Sequence, residues 1–258
     1  MASRHMNKGE SLFEQYLARW GYIDYDYERD DLNPPKKPDY LIRTGGREVV
    51  AEVESFQTKG LFEGLPPETI ASQSLKQALK PIRGAITHGA EQLKGIDGRP
   101  LVVVLVNPEA RPLPLDPAHL ISAMYGDLEF TGPADQPLSG KWHVERNGRL
   151  YRVNEQGVAH GNHEYISAIA VVRVAESVRA WADAWWDEHS ALYESPAAAI
   201  ADIRAAEAIE APKPTVTLDV FETLSEHCVR LPASVFAHEG DRRWGVVAPG
   251  QYGLLGEP

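Results

Sequence analysis

Three acidic residues in one short stretch of the chain have the spacing of a shared site. Asp39 stands at the start of one strand-like segment, and Glu52 and Glu54 lie two residues apart in the next. Because side chains alternate between the faces of a strand, Glu52 and Glu54 project from the same side, where Asp39 can face them. Converging carboxylates repel one another without a cation, and oxygen ligands favour a hard divalent ion such as Mg²⁺ or Mn²⁺.

The elements that must hold these acids are two strands and a tight turn. Segments 40–42 and 48–53 are rich in β-branched or aromatic residues and are predicted to pair through Gly45-Gly46. Before them, the breaker cluster Asn33-Pro34-Pro35 favours an extended approach. The apolar residues of the second strand are expected to bury its other side, so that the acids stand on a rigid element; these residues are Val49, Val50, Ala51 and Val53.

Helices and a buried strand are predicted around this hairpin. Residues 10–20 carry apolar side chains at spacings of three and four, the stripe of an amphipathic helix. The pattern from 68 to 94 is helical, with a break at Pro81. The apolar run LVVVLV at 101–106 predicts a strand that is covered on both faces and lies in the middle of a sheet.

The second half of the chain is predicted to begin with a surface excursion and to end in helices. The excursion, 107–140, has one short helical patch near 118–125. A strand pair is expected at 142–145 and 149–154, turning at Asn147-Gly148. The later expectations are a buried strand at 165–174, Ala- and Trp-rich helices beyond 175, a linker at 211–214, a last helix at 219–228 and a glycine-rich tail.

This arrangement resembles the PD-(D/E)XK nuclease superfamily, in an E-x-E variant of its motif. The matching residues are Pro38-Asp39 on the first strand and Glu52-Val53-Glu54 on the second. A helix precedes them, and a helix and the strand LVVVLV follow, in the order that the family has. The resemblance covers roughly residues 8–107. It implies an α/β fold with a restriction-endonuclease-like mixed β-sheet core, αβββαβ, that is flanked by helices and followed by a C-terminal helical extension.

The resemblance also implies an activity: a metal-dependent endonuclease that hydrolyses phosphodiester bonds in DNA. Asp39 and Glu52 would be ligands of Mg²⁺ or Mn²⁺, together with the main-chain carbonyl of Val53. Glu54 stands where the family usually has a lysine, and it would orient or activate the attacking water. Because a carboxylate brings no positive charge to the phosphate, a second metal ion is more plausible here than beside a lysine.

Further site residues follow from the same resemblance. Glu14 on the first helix is the candidate outer metal ligand and catalytic residue, with Glu10 as its rival. Gln92 is the candidate polar catalytic group on the later helix. Possible phosphate contacts are Lys36, Lys37, Lys76 and Lys80.

A second class of function stays open beside the nuclease. Members of the family with substitutions at the lysine position include catalytically inactive modules, so Glu54 also fits a nuclease-fold protein that only binds or assembles. The plain structural alternative for the three acids is a solvated strand face. Glu14 and Gln92 have an equally plain alternative, since acidic and amide side chains on polar helix faces are usually just solvated, and so are scattered lysines.

Composition and charge narrow these possibilities. The 258 residues include 26 Lys and Arg against 37 Asp and Glu, a formal net charge of −11 that excludes the strongly basic class of nucleic-acid binders. Residues 1–100 carry 14 basic and 15 acidic side chains, so the acidity belongs mainly to the second half. One cysteine excludes an internal disulfide and a cysteine-cluster zinc site.

The chain is predicted to be divided into a nuclease-like core at 6–174 and a helical C-terminal extension and tail at 175–258. Residues 1–5, before a second methionine, resemble a cloning scar. No apolar run reaches the ~18 residues of a spanning helix, and we expect a cytoplasmic protein without a membrane partner. The expected partners are nucleic acid, above all DNA, and a second copy or another protein bound through the C-terminal helices.

Overall fold

A mixed β-sheet of eight strands is the largest element in the computed structural model of the chain. The structure describes residues 6–29, 31–32, 34–56, 74–108, 113–126, 128–131, 141–144, 148–153, 159–174, 177–210, 215–248 and 251–255. Its strands are β1 (Tyr25–Tyr27), β2 (Tyr40–Thr44), β3 (Arg47–Ser55), β4 (Leu101–Val106), β5 (Leu128–Thr131), β6 (Lys141–Val144), β7 (Tyr151–Val153), β8 (Ala159–Gly161), β9 (Ala168–Val174), β10 (Val216–Glu222), β11 (Arg242–Ala248) and β12 (Gln251–Leu254). Its helices are α1 (Lys8–Arg19), α2 (Leu75–Ala78), α3 (Lys80–Leu93), α4 (Pro117–Tyr125), α5 (Ser177–His189) and α6 (Pro196–Glu210), with a 3₁₀ turn at Ser190–Leu192.

The order of strands in the large sheet is β1-β2-β3-β4-β9-β10-β11-β12. The first three strands are antiparallel neighbours, whereas β3, β4 and β9 run parallel to one another. At the other end, β10 and β11 are parallel and β12 is antiparallel to β11. The predicted mixed α/β class is therefore confirmed. Two small antiparallel sheets, β5 with β6 and β7 with β8, accompany the large one.

The hairpin of β2 and β3 forms as predicted. Gly45 and Gly46 both have positive φ, +57° and +74°, the backbone that a tight two-residue turn requires and that glycine adopts without strain. The register pairs Tyr40 with Ala51. One residue further along the same register, Asp39 lies opposite Glu52.

The predicted strand at 101–106 is also confirmed, as β4. All six of its residues are buried, because β3 and β9 flank it and helices cover both faces of the sheet. No strand is expected from the acidic, tyrosine-rich pattern before the prolines, yet β1 forms there and pairs with β2. Ion pairs from Arg43 to Asp24 and Asp26 accompany this pairing.

Helices α1 and α3 pack on opposite faces of β3. On the α1 side, the ring of Phe13 meets that of Tyr40 edge-on, with ring centres 5.3 Å apart. On the α3 side, Ile86 belongs to the same buried cluster as Val50 and Val103. Because Val50 and Glu52 are two residues apart on β3, they share this face, and the expectation that Val50 buries the opposite side is wrong. The strand is buried on both faces, so its apolar residues lie on both sides and not on one.

The helix predicted at 219–228 is wrong: this region begins with β10, which the chain adds to the large sheet. Asp219 is 1% exposed and accepts a hydrogen bond from the Arg242 guanidinium at 2.7 Å. Glu222 accepts one from Arg243 at 2.6 Å. These acidic residues look like a solvated helix face in the sequence, since their partners on β11 lie more than twenty residues downstream.

The hairpin predicted to turn at Asn147-Gly148 is wrong as well. The strands exist, but β6 pairs with β5 and β7 pairs with β8. Gly148 is buried against the end of α4, where a Cβ atom would lie 2.2 Å from the carbonyl carbon of Tyr125. Close packing, and not a turn, requires glycine at this position. Asn147 lies outside the described residues, as do residues 1–5, 68–73 and 211–214.

The chain divides into two compact units. Residues 1–172 and 218–258 form the first unit, and residues 173–217 form the second. The sequence predicts one boundary near this point, at 174–175, but not that the chain returns to the first unit. The predicted helices of the second unit are α5 and α6; within it, Trp185 stacks on His189 with ring centres 4.3 Å apart. None of the helices in the described ranges has the length and apolar character to cross a membrane.

Two glycines of α3 give a matched test of how closely this helix packs on the sheet. A Cβ atom at Gly89 would lie 2.7 Å from a methyl group of Val103, whereas at Gly84 it would meet nothing within 4 Å. We expect Gly89→Ala to lower the free energy of unfolding by about 1–3 kcal/mol through overpacking. Gly84→Ala should raise it by ~0.5–1 kcal/mol through helix propensity. Urea denaturation of both variants checks this, and equal effects would contradict the packing.

Candidate functional site

Asp39 and Glu52 face each other across the end of the β2–β3 pair. The amide of Asp39 donates to Oε2 of Glu52 at 3.2 Å, and the amide of Val53 donates to Oδ2 of Asp39 at 2.8 Å. Each carboxylate thus accepts a hydrogen bond from the backbone of the other segment. Glu52 is only 8% exposed. The structure brings together these two predicted residues and places the Val53 peptide beside them.

The electrostatics of the pair are those of crowded, partly desolvated acids. Burial, together with the charges of Glu10, Glu54 and Glu28, raises the pKa of Asp39 to about 7, against the lowering effect of the Val53 hydrogen bond. Burial likewise raises the pKa of Glu52 to about 9, with the charge of Asp39 as the next cause. Two acids held in this way take up a proton or a cation readily.

Glu54 is paired with a residue of α3. Glu54 is the third of the predicted acids, and its Oε1 lies 2.5 Å from Nδ1 of His88. The Glu54 side chain is 17% exposed and that of His88 is 64% exposed. The charge of Glu54 raises the pKa values of both Asp39 and Glu52.

The two rival acids of α1 occupy different places. Glu10 is 7% exposed and closes the capping box of α1 with Asn7, and it also accepts a hydrogen bond from the Tyr27 hydroxyl at 3.0 Å. Glu14 accepts a hydrogen bond from Tyr40 at 3.3 Å, on the α1 side of the sheet. Of the two, Glu10 is the one whose charge raises the pKa of the carboxylate pair. The role of Glu14 as an outer ligand stays a prediction.

The remaining predicted residues lie on or near α3. Gln92 is half-buried, and it shares a helix face with His88 because the two are four residues apart. Nζ of Lys36 donates to the main-chain carbonyl of Glu91, in the last turn of the same helix. The other predicted phosphate contacts are exposed; they are Lys37, Lys76 on α2 and Lys80 at the first position of α3.

The donors at this site suit a hard cation, although their present arrangement is not that of a formed metal centre. Within the described part of the chain, no three His, Cys, Asp or Glu side chains are grouped so that they could hold a metal ion. Asp39 and Glu52 each turn one oxygen to a backbone amide, and the other oxygen of each can bind a cation. A third carboxylate would have to turn towards them.

His88 is one of two residues of this site that the sequence pattern did not single out. A usable signal exists, because Gln92 is expected on the same helix and the position four residues before it shares its face. Glu28 is a second such residue. It has a positive φ of +50°, and its amide donates to the carbonyl of Asp39 at 2.9 Å. Nothing local in the sequence indicates that contact.

Comparisons of the chain with protein-family models, with curated proteins and with solved structures find no significant match.

The raised proton affinity of the pair predicts how stability depends on pH. The folded state binds these protons more tightly than the unfolded chain, whose values are near 3.8 and 4.5. The free energy of unfolding should therefore fall as pH rises through about 7 for Asp39 and about 9 for Glu52. We expect a loss of at least about 1 kcal/mol between about pH 5 and about pH 9 in EDTA, measured by urea denaturation.

Glu52→Gln should remove much of this slope, since the amide still accepts from Asp39 but carries no charge. The exposed Glu226→Gln should leave it unchanged. If Glu52→Gln and the unsubstituted protein have equal slopes, the carboxylate pair is not the source of the pH dependence.

Proposed function

We propose that this protein is a metal-dependent nuclease that hydrolyses phosphodiester bonds in DNA. The observation that carries the proposal is the pair Asp39 and Glu52, which lie opposite each other on adjacent strands with raised pKa values. Buried acids that repel one another mark sites where a cation or a proton is bound, and they are frequent in active sites.

The order and direction of the elements around the pair support a restriction-endonuclease-like core. Helix α1 precedes three antiparallel strands, β1 to β3, and α3 then leads to β4, which is parallel to β3. This is the αβββαβ order that the resemblance implies, with β9 continuing the parallel part of the sheet. Asp39 directly precedes β2 and Glu52 lies on β3, the two strands of the hairpin to which the resemblance assigns these acids.

The chain's own residues have separable tasks in this proposal. Asp39 and Glu52 would hold Mg²⁺ or Mn²⁺, with the Val53 carbonyl as a third oxygen ligand, while the fixed charge of Glu10 adds to the attraction for a cation. When bound, such an ion polarises an attacking water and offsets charge on the phosphate. Glu54 would orient or activate the attacking water, and its carboxylate also contacts His88.

Two observations favour the second candidate function, an inactive nuclease-fold module that binds or assembles. Glu54 is engaged by His88, and the acids of the described ranges are not grouped as a formed metal centre. An inactive module would keep the hairpin and the helices for packing alone. Metal binding separates the two candidates, because only the nuclease needs the carboxylate pair to take up a cation.

The partners that go with the proposal are DNA at the carboxylate pair and a protein at the C-terminal helices. The helices of the second unit, α5 and α6, carry exposed apolar residues, of which Ile200 is 47% exposed. A second copy of the chain or another protein is proposed to cover them.

Nuclease assays on linear and circular DNA with Mg²⁺ or Mn²⁺ test the leading proposal. We expect cleavage, and a loss on the order of a hundredfold or more with Asp39→Asn or Glu52→Gln, since each removes a ligand charge. Because both changes also relieve repulsion, these variants should be at least as stable as the original chain in EDTA. The matched control Glu226→Gln should cleave normally, and full activity of Asp39→Asn would contradict the mechanism.

Calorimetric titration with Mn²⁺ separates the nuclease from the inactive module. The unsubstituted protein should bind the ion, and its affinity should rise between about pH 6 and about pH 8 as the pair loses protons. Glu52→Gln should weaken binding at least about tenfold. An absence of binding at millimolar Mn²⁺ favours the module and counts against the nuclease.

A further inference from the structure

The contact between Glu54 and His88 joins a covered carboxylate to an exposed imidazole. The side chain of Glu54 is 17% exposed, whereas that of His88 is 64% exposed. Of the two, only His88 offers most of its surface to a molecule that approaches from solvent. Nδ1 of His88 lies within hydrogen-bonding distance of Oε1 of Glu54, and since a carboxylate can only accept, Nδ1 is the donor in this contact.

Glu54 is the fixed member of the pair. It stands on β3, a strand buried between two neighbours, and its Cγ lies where a Cβ atom on Gly89 of α3 would come within 3.3 Å. The carboxylate is thus held between the sheet and the helix. Since Nδ1 of His88 is directed at Glu54, Nε2 on the other side of the ring faces away from it.

The acidic side chains around Glu54 and His88 would repel a phosphate unless a positively charged side chain also contacted it. Glu10, Asp39, Glu52 and Glu54 give the site a surplus of negative charge, which repels a phosphodiester. The ammonium group of Lys36, one of the predicted phosphate contacts, already donates to the Glu91 carbonyl at the end of α3. An imidazole with the Glu54 carboxylate at one nitrogen and a phosphate oxygen at the other donates from both and carries a positive charge.

We propose that His88 contacts the phosphodiester through Nε2 and that Glu54 orients it for this contact. The pair brings to the site the positive charge that Glu54 by itself lacks. This inference rests on the proposed function, since it names the residue that receives the substrate phosphate. It assigns Glu54 a positioning role, acting through His88.

Two substitutions, each of which keeps a nitrogen at the place of only one ring nitrogen of His88, separate contact with the phosphate from support of Glu54 alone. In His88→Asn the amide nitrogen replaces Nδ1 and keeps the bond to Glu54, but nothing replaces Nε2. In His88→Gln the amide nitrogen reaches the position of Nε2. The matched control is His119→Asn, which changes another histidine–carboxylate pair, the one with Asp116 at the N-terminus of α4.

The first measurement is binding of a fluorescein-labelled DNA duplex, by anisotropy in Ca²⁺, with the duplex checked for integrity on a gel. We expect about a tenfold loss of affinity for His88→Asn and a smaller loss for His88→Gln. The slope of log affinity against log salt should fall by about 0.9 for His88→Asn, because one cationic phosphate contact is lost. His119→Asn should match the unsubstituted protein in both quantities.

The outcomes distinguish this proposal from the proposed function. If His88→Asn binds the duplex with the original affinity and salt slope, His88 only supports Glu54 and the proposal is overturned. It is also overturned if the unsubstituted protein does not bind the duplex. If the expected binding pattern appears but no DNA is cleaved in Mg²⁺ or Mn²⁺, the phosphate contact stands and the nuclease proposal fails.

Discussion

The repulsion between two covered carboxylates constrains the whole end of the sheet at which they meet. Asp39 and Glu52 lie opposite each other because the β2–β3 register puts them there. Removing such groups from water costs free energy unless hydrogen bonds replace the lost hydration. The amides of Asp39 and Val53 supply those bonds, so the backbone of both strands is tied to the acids. The repulsion that remains among these acids and their acidic neighbours contributes to the raised pKa values of both carboxylates.

Close packing of two helices holds this arrangement in place. On one side, Gly9 lets α1 approach the end of β3, where a Cβ atom would lie 2.7 Å from Cβ of Ser55. On the other side, Gly89 lets α3 approach Val103 and Glu54. Both faces of β3 are therefore covered next to the acids. A strand fixed in this way cannot relieve the repulsion by moving, and a bound proton or cation becomes the remaining means of relief.

Some of the acidic side chains counted in the net charge of −11 form ion pairs inside the fold. In the second half, Asp219 and Glu222 pair with Arg242 and Arg243, so part of the acidity is internal to the sheet. Asp241 is 3% exposed and accepts a hydrogen bond from Tyr16 at 2.6 Å, which ties α1 to the residue before β11. These acids stabilise the fold, whereas the repulsion at Asp39 and Glu52 is not offset by any such arginine partner among the described contacts. The acidic composition thus contains both structural and functional charges.

The sequence by itself determined the elements whose patterns are local. The Gly45-Gly46 turn, the fully apolar β4 and the stripe of α1 each follow from a few neighbouring residues, and with them the facing of Asp39 and Glu52. Contacts between distant segments were decided only by the tertiary structure. Strand β10 lies in the sheet, where arginines more than twenty residues later pair with its acids, and β6 and β7 take partners that Gly148 did not indicate. His88 meets Glu54 for the same reason: helix packing brings together residues 34 positions apart, and no local pattern encodes that distance.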